Sequence, residues 1–559
     1  MVNKPEKLTS FVKWKNRRKV VRTVLQFFVV IFVGYLIVNS LMTLKTYDES
    51  DRSTWTNHDN FIAVSYFGVS RSTTSDLVSK RELDAQINAL YDHGYVTISQ
   101  QDVIDFYTKG SPLPEKALYL SFEDGRNDSA LFTTKILENY NYKATMLTYA
   151  NKMGNDQGKF LQPKELLSMT KKGFWELGTN GYRLTYINIL DKDENYFEQQ
   201  TQEQFLNKNE AQYYTHYLMD FIRDKNNIPV ETRVVMEERI QLDYDLVEKI
   251  YKDKLGFVPT TYMIMHADTL YNGMDGLVEN VNDTNIRELF KLHYNREGKL
   301  LNTSSMDRYD LTRVQPAPYW RTNHLIMKLG LDTNDNVTFV TGDEDQAKKW
   351  TIVDGVAEFA PEEIALTTRP AQKATMKIND VKVSNQYSLD LVIGGHSSGI
   401  QYIQLGQSSD GQLKLQLRVQ DENVYVEQVA ADGEVERLLG VRGKDVGLAD
   451  IPISLQIQNQ TISMSINNNL VMEHEEIDES IDQWYVQLEA ESLQEENRWE
   501  DEGDHIYDGV FKRITLANID DEGKVIEKLY SNHLKGLAKV TFTTKRIFNN
   551  MIDWAIETF

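Results

Sequence analysis

At 559 residues, 41% hydrophobic and 26% charged, the chain is too long for one hydrophobic core, and its length predicts two to four domains. Cysteine is absent, which excludes disulfides, thiolate metal sites and a cysteine nucleophile. Eight Lys/Arg crowd residues 1–22 against Glu6 alone, yet the formal total is −22, so the body is strongly acidic and repels nucleic acid.

Residues 1–22 form this basic segment, and Thr23 to Leu44 contain no charged residue. At about 1.5 Å per residue the run spans about 33 Å, enough for a bilayer core. It exceeds the apolar core of a cleaved signal peptide, and no alanine precedes Ala63 to make a small-residue cleavage site. The pattern predicts an uncleaved transmembrane signal anchor over 23–44. The N-terminus is then cytoplasmic and the bulk of the chain extracellular. Residues 45–57 read as a linker.

A first folded domain is expected over 58–330. Leu83, Ile87 and Leu90 have helical spacing, Gly94 ends that helix, and Tyr95–Ile98 is strand-like. The strand Ala117–Phe122 runs into Glu123–Asp124. A helix over 129–140 is expected to bury Leu131, Ile136 and Leu137. Ala144–Tyr149 is another strand, Leu161–Lys172 a helix and Trp175–Leu177 a strand. Alternating strands and helices predict an α/β domain with a parallel sheet. Ligands of such domains sit at the carboxyl ends of strands, where Glu123 and Asp124 lie. The stretch 198–227 reads as polar and helix-prone, and 238–269 as a helix running into a strand. This segment and those after it hold His266, His293, Arg296, Glu297, Arg313, Trp320 and His324, concentrating guanidinium, imidazole and indole groups suited to reading a sugar.

The stretch from GYVTIS through KALYLSFEDG to YKATMLTYA, with KKGFWELGTNGYRL, resembles the polysaccharide deacetylase (NodB-type) family. The resemblance implies a distorted (β/α) barrel. The family's first motif is usually T-F-D-D-G and its second S-H-x-x-x-H. In a working member the first Asp is the general base. The second Asp and the two His hold a divalent metal, commonly zinc, which polarises a water and the acetamide carbonyl. On this mapping Glu123 stands at the base and Asp124 at the metal-ligand Asp, the one family ligand retained. Asn180 and Leu184 replace the two histidines. Tyr66-Phe67 stands at an early Tyr-His pair, and His266 is the nearest candidate for a late catalytic His. The expectation is a protein without the usual zinc and without zinc-dependent deacetylation, zinc entering only if the site is rebuilt. Asn180, Tyr182, Arg183, Arg296, Glu297, Arg313 and Trp320 are the expected substrate-binding residues. Glycoside hydrolysis is the enzymatic alternative, with Glu123, Asp124, Glu237, Glu238 and Glu297 as candidate carboxylates. Leftover loop carboxylates capping a helix are the structural one.

Over 338–517 helical spacing gives way to period-two alternation, with an Asn-rich turn at 467–469. Many short strands predict an antiparallel β-sandwich that resembles laminin-G or concanavalin-like jelly rolls. The resemblance implies carbohydrate binding, with Tyr402, Tyr425, Trp484 and Tyr485 available to stack on sugars or to fill the core. His396 reads as a loop residue, and ESLQEENRWEDEGD as a solvated loop. Residues 524–559 are expected to form a C-terminal amphipathic helix, its basic and apolar residues concentrated in 534–559, lying on a membrane or on protein. The whole reads as a membrane-anchored extracellular protein that binds or helps assemble or modify a bacterial exopolysaccharide. Its expected partners are the polysaccharide, the membrane and a membrane glycosyltransferase or polysaccharide synthase. The alternatives are an active glycan hydrolase and a structural, partner-binding subunit.

Overall fold

The computed structural model describes residues 19–24, 26–27, 45–72, 74, 76–154, 158–201, 204–205, 211–264, 274–395, 399–420, 423–430, 435–442, 450–493, 504–534, 536, 539–544 and 546–548. The chain divides into two compact units, Met1–Glu49 and Ser50–Phe559. In the first, residues 19–24 and 26–27 are helical, and most of the anchor expected over 23–44 lies outside the described residues. No described helix is long and apolar enough to cross a membrane.

The second unit begins with a parallel barrel. Its strands are β1 (Asn60–Tyr66), β2 (Ala117–Phe122), β3 (Ala144–Tyr149), β4 (Trp175–Gly181), β5 (Thr261–Met263), β6 (Leu292–Glu297) and β7 (Leu311–Arg313). Each pairs in parallel with the next. A parallel bridge from Val64 to Val314 closes the ring: Ser65 N donates to Val314 O at 2.9 Å and Val314 N to Ala63 O at 3.0 Å. β2 and β3 are buried along their whole length, which explains their unbroken runs of apolar and β-forming residues. Phe61, Tyr119, Leu147, Met263, Leu292, Tyr294 and Leu311 share one cluster from all of these strands but β4, with Tyr119 stacked on Tyr294 at 4.8 Å.

Helix α1 (Lys80–Asp92) starts where Ser79 accepts from Glu82 N and buries Leu83, Ile87 and Leu90, as their spacing requires. Helix α2 (Gln100–Lys109) opens with a capping box between Ser99 and Asp102. Helix α3 (Asn127–Tyr140) buries Phe132, Ile136 and Leu137, whereas Leu131, expected on that face, is exposed. Phe132 lies one position round the helix and carries more apolar surface, so it takes the core. The segment 198–227, read as helix-prone, instead contains strands Tyr196–Thr201 and Ala211–His216, which flank Thr185–Asp191 in a three-stranded antiparallel sheet. Tyr213, Tyr214 and Thr215 favour a pleated surface, and sheet pairing overrides the polar composition around them. Helices α4 (Arg233–Leu255), α5 (Gly276–Leu289) and α6 (Thr322–Thr333) complete the domain.

The expected β-sandwich follows. One sheet orders seven strands from Trp350–Asp354 to Val435–Arg442, and a second packs on it across a shared apolar core. The Asn-rich turn joins Thr461–Ile466 to Asn469–Glu476, with Asn467 at φ 53 and Asn468 at φ 62, the left-handed pair of a tight hairpin. Val525–Ser531, expected within the terminal helix, is a strand paired to Asp508–Ile519. Tyr530 is buried against Trp350, and pairing with that strand holds the segment extended. Residues 536, 539–544 and 546–548 are helical; residues 535, 537–538, 545 and 549–559 of the expected helix lie outside the described residues.

Barrel and sandwich meet across a charged seam. His324 on α6 faces Asp508 Oδ2 at 3.0 Å through Nδ1 and Asp504 Oδ2 at 2.8 Å through Nε2. Arg321 N also donates to Asp508, and the Arg321 guanidinium lies 3.1 Å from Glu363 and 3.7 Å from Glu82.

Candidate functional site

Polar side chains gather at the carboxyl end of the barrel because each strand stops there. Ser65 comes from β1, Tyr149 from β3, Asn180 from β4, Glu297 from β6 and Arg313 from β7, with Glu123 and Asp124 directly after β2. The turn after β2 is built for close approach. Asp124 has φ 66 and Gly125 φ 61, and a Cβ on Gly125 would lie 2.6 Å from Thr148 Cγ2. The break in pleating at Asp124 gives the adjacent carboxylates different surroundings.

Glu123 is fully buried. Its Oε1 accepts from Ser65 Oγ at 2.7 Å and Gln315 Nε2 at 3.1 Å, and Arg313 Nε lies 3.6 Å away. Arg313, itself fully buried, also bonds Glu297 and donates to the Arg296 and Ile264 carbonyls. Burial raises the Glu123 pKa, against the opposing Arg313 charge. Burial likewise lifts Asp124 to about 6, opposed by Arg126, Lys159 and Lys152. The Arg126 guanidinium is 3.7 Å from Asp124 Oδ2. Among the described residues, Glu123 Oε2, Asp124 Oδ1, Arg126 Nε and the Tyr149 hydroxyl are buried here with no hydrogen-bond partner. Burial, with Asp124 and Glu123 nearby, pushes the Tyr149 phenol well above its ordinary value.

The positions that the resemblance assigns to a metal do not fit one. Asn180 uses both ends of its amide on the backbone: Oδ1 accepts from Asp124 N at 3.1 Å and Nδ2 donates to Met263 O at 2.9 Å. Leu184 is 5% exposed and packs among Tyr149, Tyr186, Ile189 and Phe205. A hydrocarbon in an apolar cluster and an amide held by the backbone at both ends leave Asp124 alone, short of the three protein ligands of a catalytic zinc. Among the described residues no group of three or more His, Asp or Glu is placed to hold a metal ion.

Glu123, Asp124, Asn180, Glu297 and Arg313 thus converge. Tyr182 and Arg183 follow β4, the guanidinium lying 5.4 Å from the Tyr182 ring and 5.3 Å from that of Tyr217. Arg296 turns to Asp310, with contacts of 2.8 and 2.6 Å, and is 42% exposed. Trp320 lies at the sandwich seam, stacked on His324 at 4.0 Å. His293 is buried beneath Tyr262, and burial lowers it to about 3, a neutral core histidine. His266 lies outside the described residues. Sequence reasoning missed Ser65, Tyr149, Arg126 and Gln315. Ser65 and Tyr149 carried a signal, since each stands at or near the last position of a predictable strand.

A closed parallel barrel that delivers polar groups from its strands to one end places this domain among α/β barrels whose chemistry sits at the carboxyl face. Residues 110–221 match the polysaccharide deacetylase family model. YxkH of Bacillus subtilis (strain 168), named as a polysaccharide deacetylase, is 26% identical over 128 residues, 22% of this chain and 45% of YxkH's own length. Among solved structures, a de-N-acetylase from Aggregatibacter actinomycetemcomitans is 17% identical, with 48% of this chain and 98% of that one covered and a TM-score of 0.38. IcaB from Ammonifex degensii is 15% identical over 47% of this chain and 95% of its own, with a TM-score of 0.33. The carbohydrate binding module CBM66 from Bacillus subtilis is 11% identical over 30% of this chain and 94% of its own, with a TM-score of 0.23.

Proposed function

We propose that this chain is a membrane-anchored, extracytoplasmic protein that binds a bacterial exopolysaccharide and helps assemble or modify it beside a membrane synthase, without zinc-dependent deacetylation. The observation that carries the reading is Leu184, buried in an apolar cluster where the family's second metal-binding histidine would stand. Arg313 supports it, because it ties the residue at the general-base position into a buried ion pair. The basic head and the uncharged run over 23–44 support the anchor and its orientation.

The test uses the full chain in detergent micelles with acetylated and deacetylated glycans, with and without zinc, assayed for binding, acetate and reducing ends. Binding without acetate release and without zinc uptake is expected. Zinc-stimulated acetate release that Asp124→Ala abolishes would overturn the reading. A second reading, hydrolysis by a rebuilt site, is favoured by Asp124, whose pKa of about 6 and unpartnered Oδ1 suit a proton donor. It predicts metal-independent release of acetate or reducing ends that Asp124→Asn removes.

A further inference from the structure

The barrel site is sealed, and one element seals it. Glu123 and Arg313 are fully buried, and Asp124 and Asn180 are only 2% and 3% exposed. The cover is the three-stranded antiparallel sheet inserted after β4, made of Thr185–Asp191, Tyr196–Thr201 and Ala211–His216. Its inner side carries Tyr186, Ile189, Tyr214 and the adjoining Phe205, with the Tyr186 ring 5.0 Å from that of Phe205 and 5.3 Å from that of Tyr214. This underside packs on two barrel residues, Phe67 just after β1 and Tyr149 at the end of β3. β2 lies between those two strands, so the sheet spans the end of β2, where Glu123 and Asp124 sit.

The chain enters this sheet past Gly181, at φ 98, and leaves it at Tyr217, and the two ends are adjacent because Tyr217 N donates to Thr185 O at 2.9 Å. Arg239 on α4 anchors the exit through the Tyr217 carbonyl and through Asp220 O at 2.8 Å. Asn188 ties the first strand to the same anchored segment, accepting from Arg223 N and donating to Phe221 O, both at 2.8 Å. The Tyr196–Thr201 edge strand has Phe197, Glu198 and Gln199 exposed. Two opposed effects set how firmly the sheet stays down. Burial of its aromatic underside favours closure. Against closure, Glu123 Oε2, Asp124 Oδ1, the Tyr149 hydroxyl, Thr185 Oγ1 and Arg183 Nε are buried with no hydrogen-bond partner among the described residues. Opening hydrates them, which keeps an open state within thermal reach.

We propose that this sheet is a flap, hinged at Gly181 and Tyr217, that must lift off Tyr149 and Phe67 before a ligand reaches Glu123, Asp124 or Arg313. The barrel site is then gated: the closed form excludes polymer and solvent alike, and a ligand binds by holding a state that the free chain populates sparsely. That the ligand is a glycan rests on the proposed function; the flap and its hinge do not.

Because the chain has no cysteine, a single introduced thiol reports on one place. Ser65→Cys puts it beside Glu123 under the flap, and Ala117→Cys puts it at the buried amino end of β2. Each full-length variant, in micelles, is reacted with methyl methanethiosulfonate over urea concentrations below the unfolding transition. The Ser65→Cys thiol is expected to react slowly and with little dependence on urea, and the Ala117→Cys thiol only through unfolding, with a steep dependence. Phe205→Ala, with the milder Phe205→Leu beside it, is expected to speed the first thiol relative to the second, by about tenfold or more for the alanine. A Ser65→Cys thiol that reacts in the native chain as fast as in the unfolded one overturns the seal. One that follows urea as steeply as Ala117→Cys, or whose rate relative to it is unchanged by both Phe205 variants, overturns the flap. Hexamers of N-acetylglucosamine, glucosamine and β-1,4-glucose are then added. A change in the Ser65→Cys rate supports the proposed function, and no change with any of the three counts against that function while the flap stands on the thiol rates.

Discussion

Arg313, itself sealed from water, stands between the buried carboxylate of Glu123 and the partly exposed one of Glu297, and that fixes what its loss would do. It is fully buried, as is Glu123, and it bonds Glu297 as well. Arg313→Met would leave Glu123 desolvated without its counter-charge, at a cost of about 3–5 kcal/mol. Adding Glu123→Gln removes the stranded charge and is expected to recover part of that loss. Urea unfolding of the single and double variants measures the coupling; additive losses would mean that the pair does not interact. Leu184 makes the complementary case. Leu184→Ala removes hydrocarbon from the cluster with Tyr149, Tyr186, Ile189 and Phe205 and is expected to cost about 3 kcal/mol. Leu184→His with Asn180→His puts imidazoles at both positions. The double variant is expected to cost at least as much stability, because burying a polar ring there leaves it unpaired. Equilibrium dialysis of the native chain and the double variant against zinc measures the uptake of each; equal uptake would mean that Leu184 and Asn180 are not what keeps the ion out.

The turn from β2 into α3 is the element on which the carboxylates depend. Gly125→Ala meets Thr148 Cγ2 at 2.6 Å while its backbone sits at φ 61, so the variant must both shift and strain. A loss of more than about 1 kcal/mol is expected, with weakened glycan binding because Asp124 moves with the turn. A stability unchanged in urea would show that the turn relaxes freely. The strands flanking this turn were legible in sequence. ALYLSF and ATMLTY are short runs of apolar and β-forming residues, and buried parallel strands take only such residues. The glycine was legible too, but the site as a constellation was not. Ser65 and Glu123 are 58 residues apart, and Gln315 and Glu123 are 192 apart. Those meetings come from barrel closure, which periodicity does not encode. The strands at 196–201 and 211–216 were hidden for a related reason. Their partner is the Thr185–Asp191 strand, and polar edge residues around them read as helix until that pairing is known.

At the scale of the molecule, one histidine joins barrel to sandwich. Burial alone would lower the pKa of His324, but Asp504 and Asp508 outweigh it and raise it to about 9 from 6.5. Burial works against Asp504 and Asp508 as well, and the imidazolium overcomes it to hold both below their ordinary value. The signs define a window. The histidine's contribution is complete below about pH 6.5 and drains as pH rises through about 9, while that of the aspartates is present above about 3.8 and drains as pH falls through their lowered values. A rise of about 2.5 units is worth about 3 kcal/mol, a sizeable part of the stability of one domain. Trp320, stacked on His324 at 4.0 Å, places a reporter on the seam. In the full chain, the fluorescence difference between native protein and Trp320→Phe is expected to change as the pH passes about 9, with the first urea transition moving to lower concentration over the same range. His324→Gln should lower that transition at pH 7 and flatten its dependence between pH 7 and 10. If the glutamine variant loses stability with pH as steeply as the native chain, the imidazolium is not what holds the two domains together.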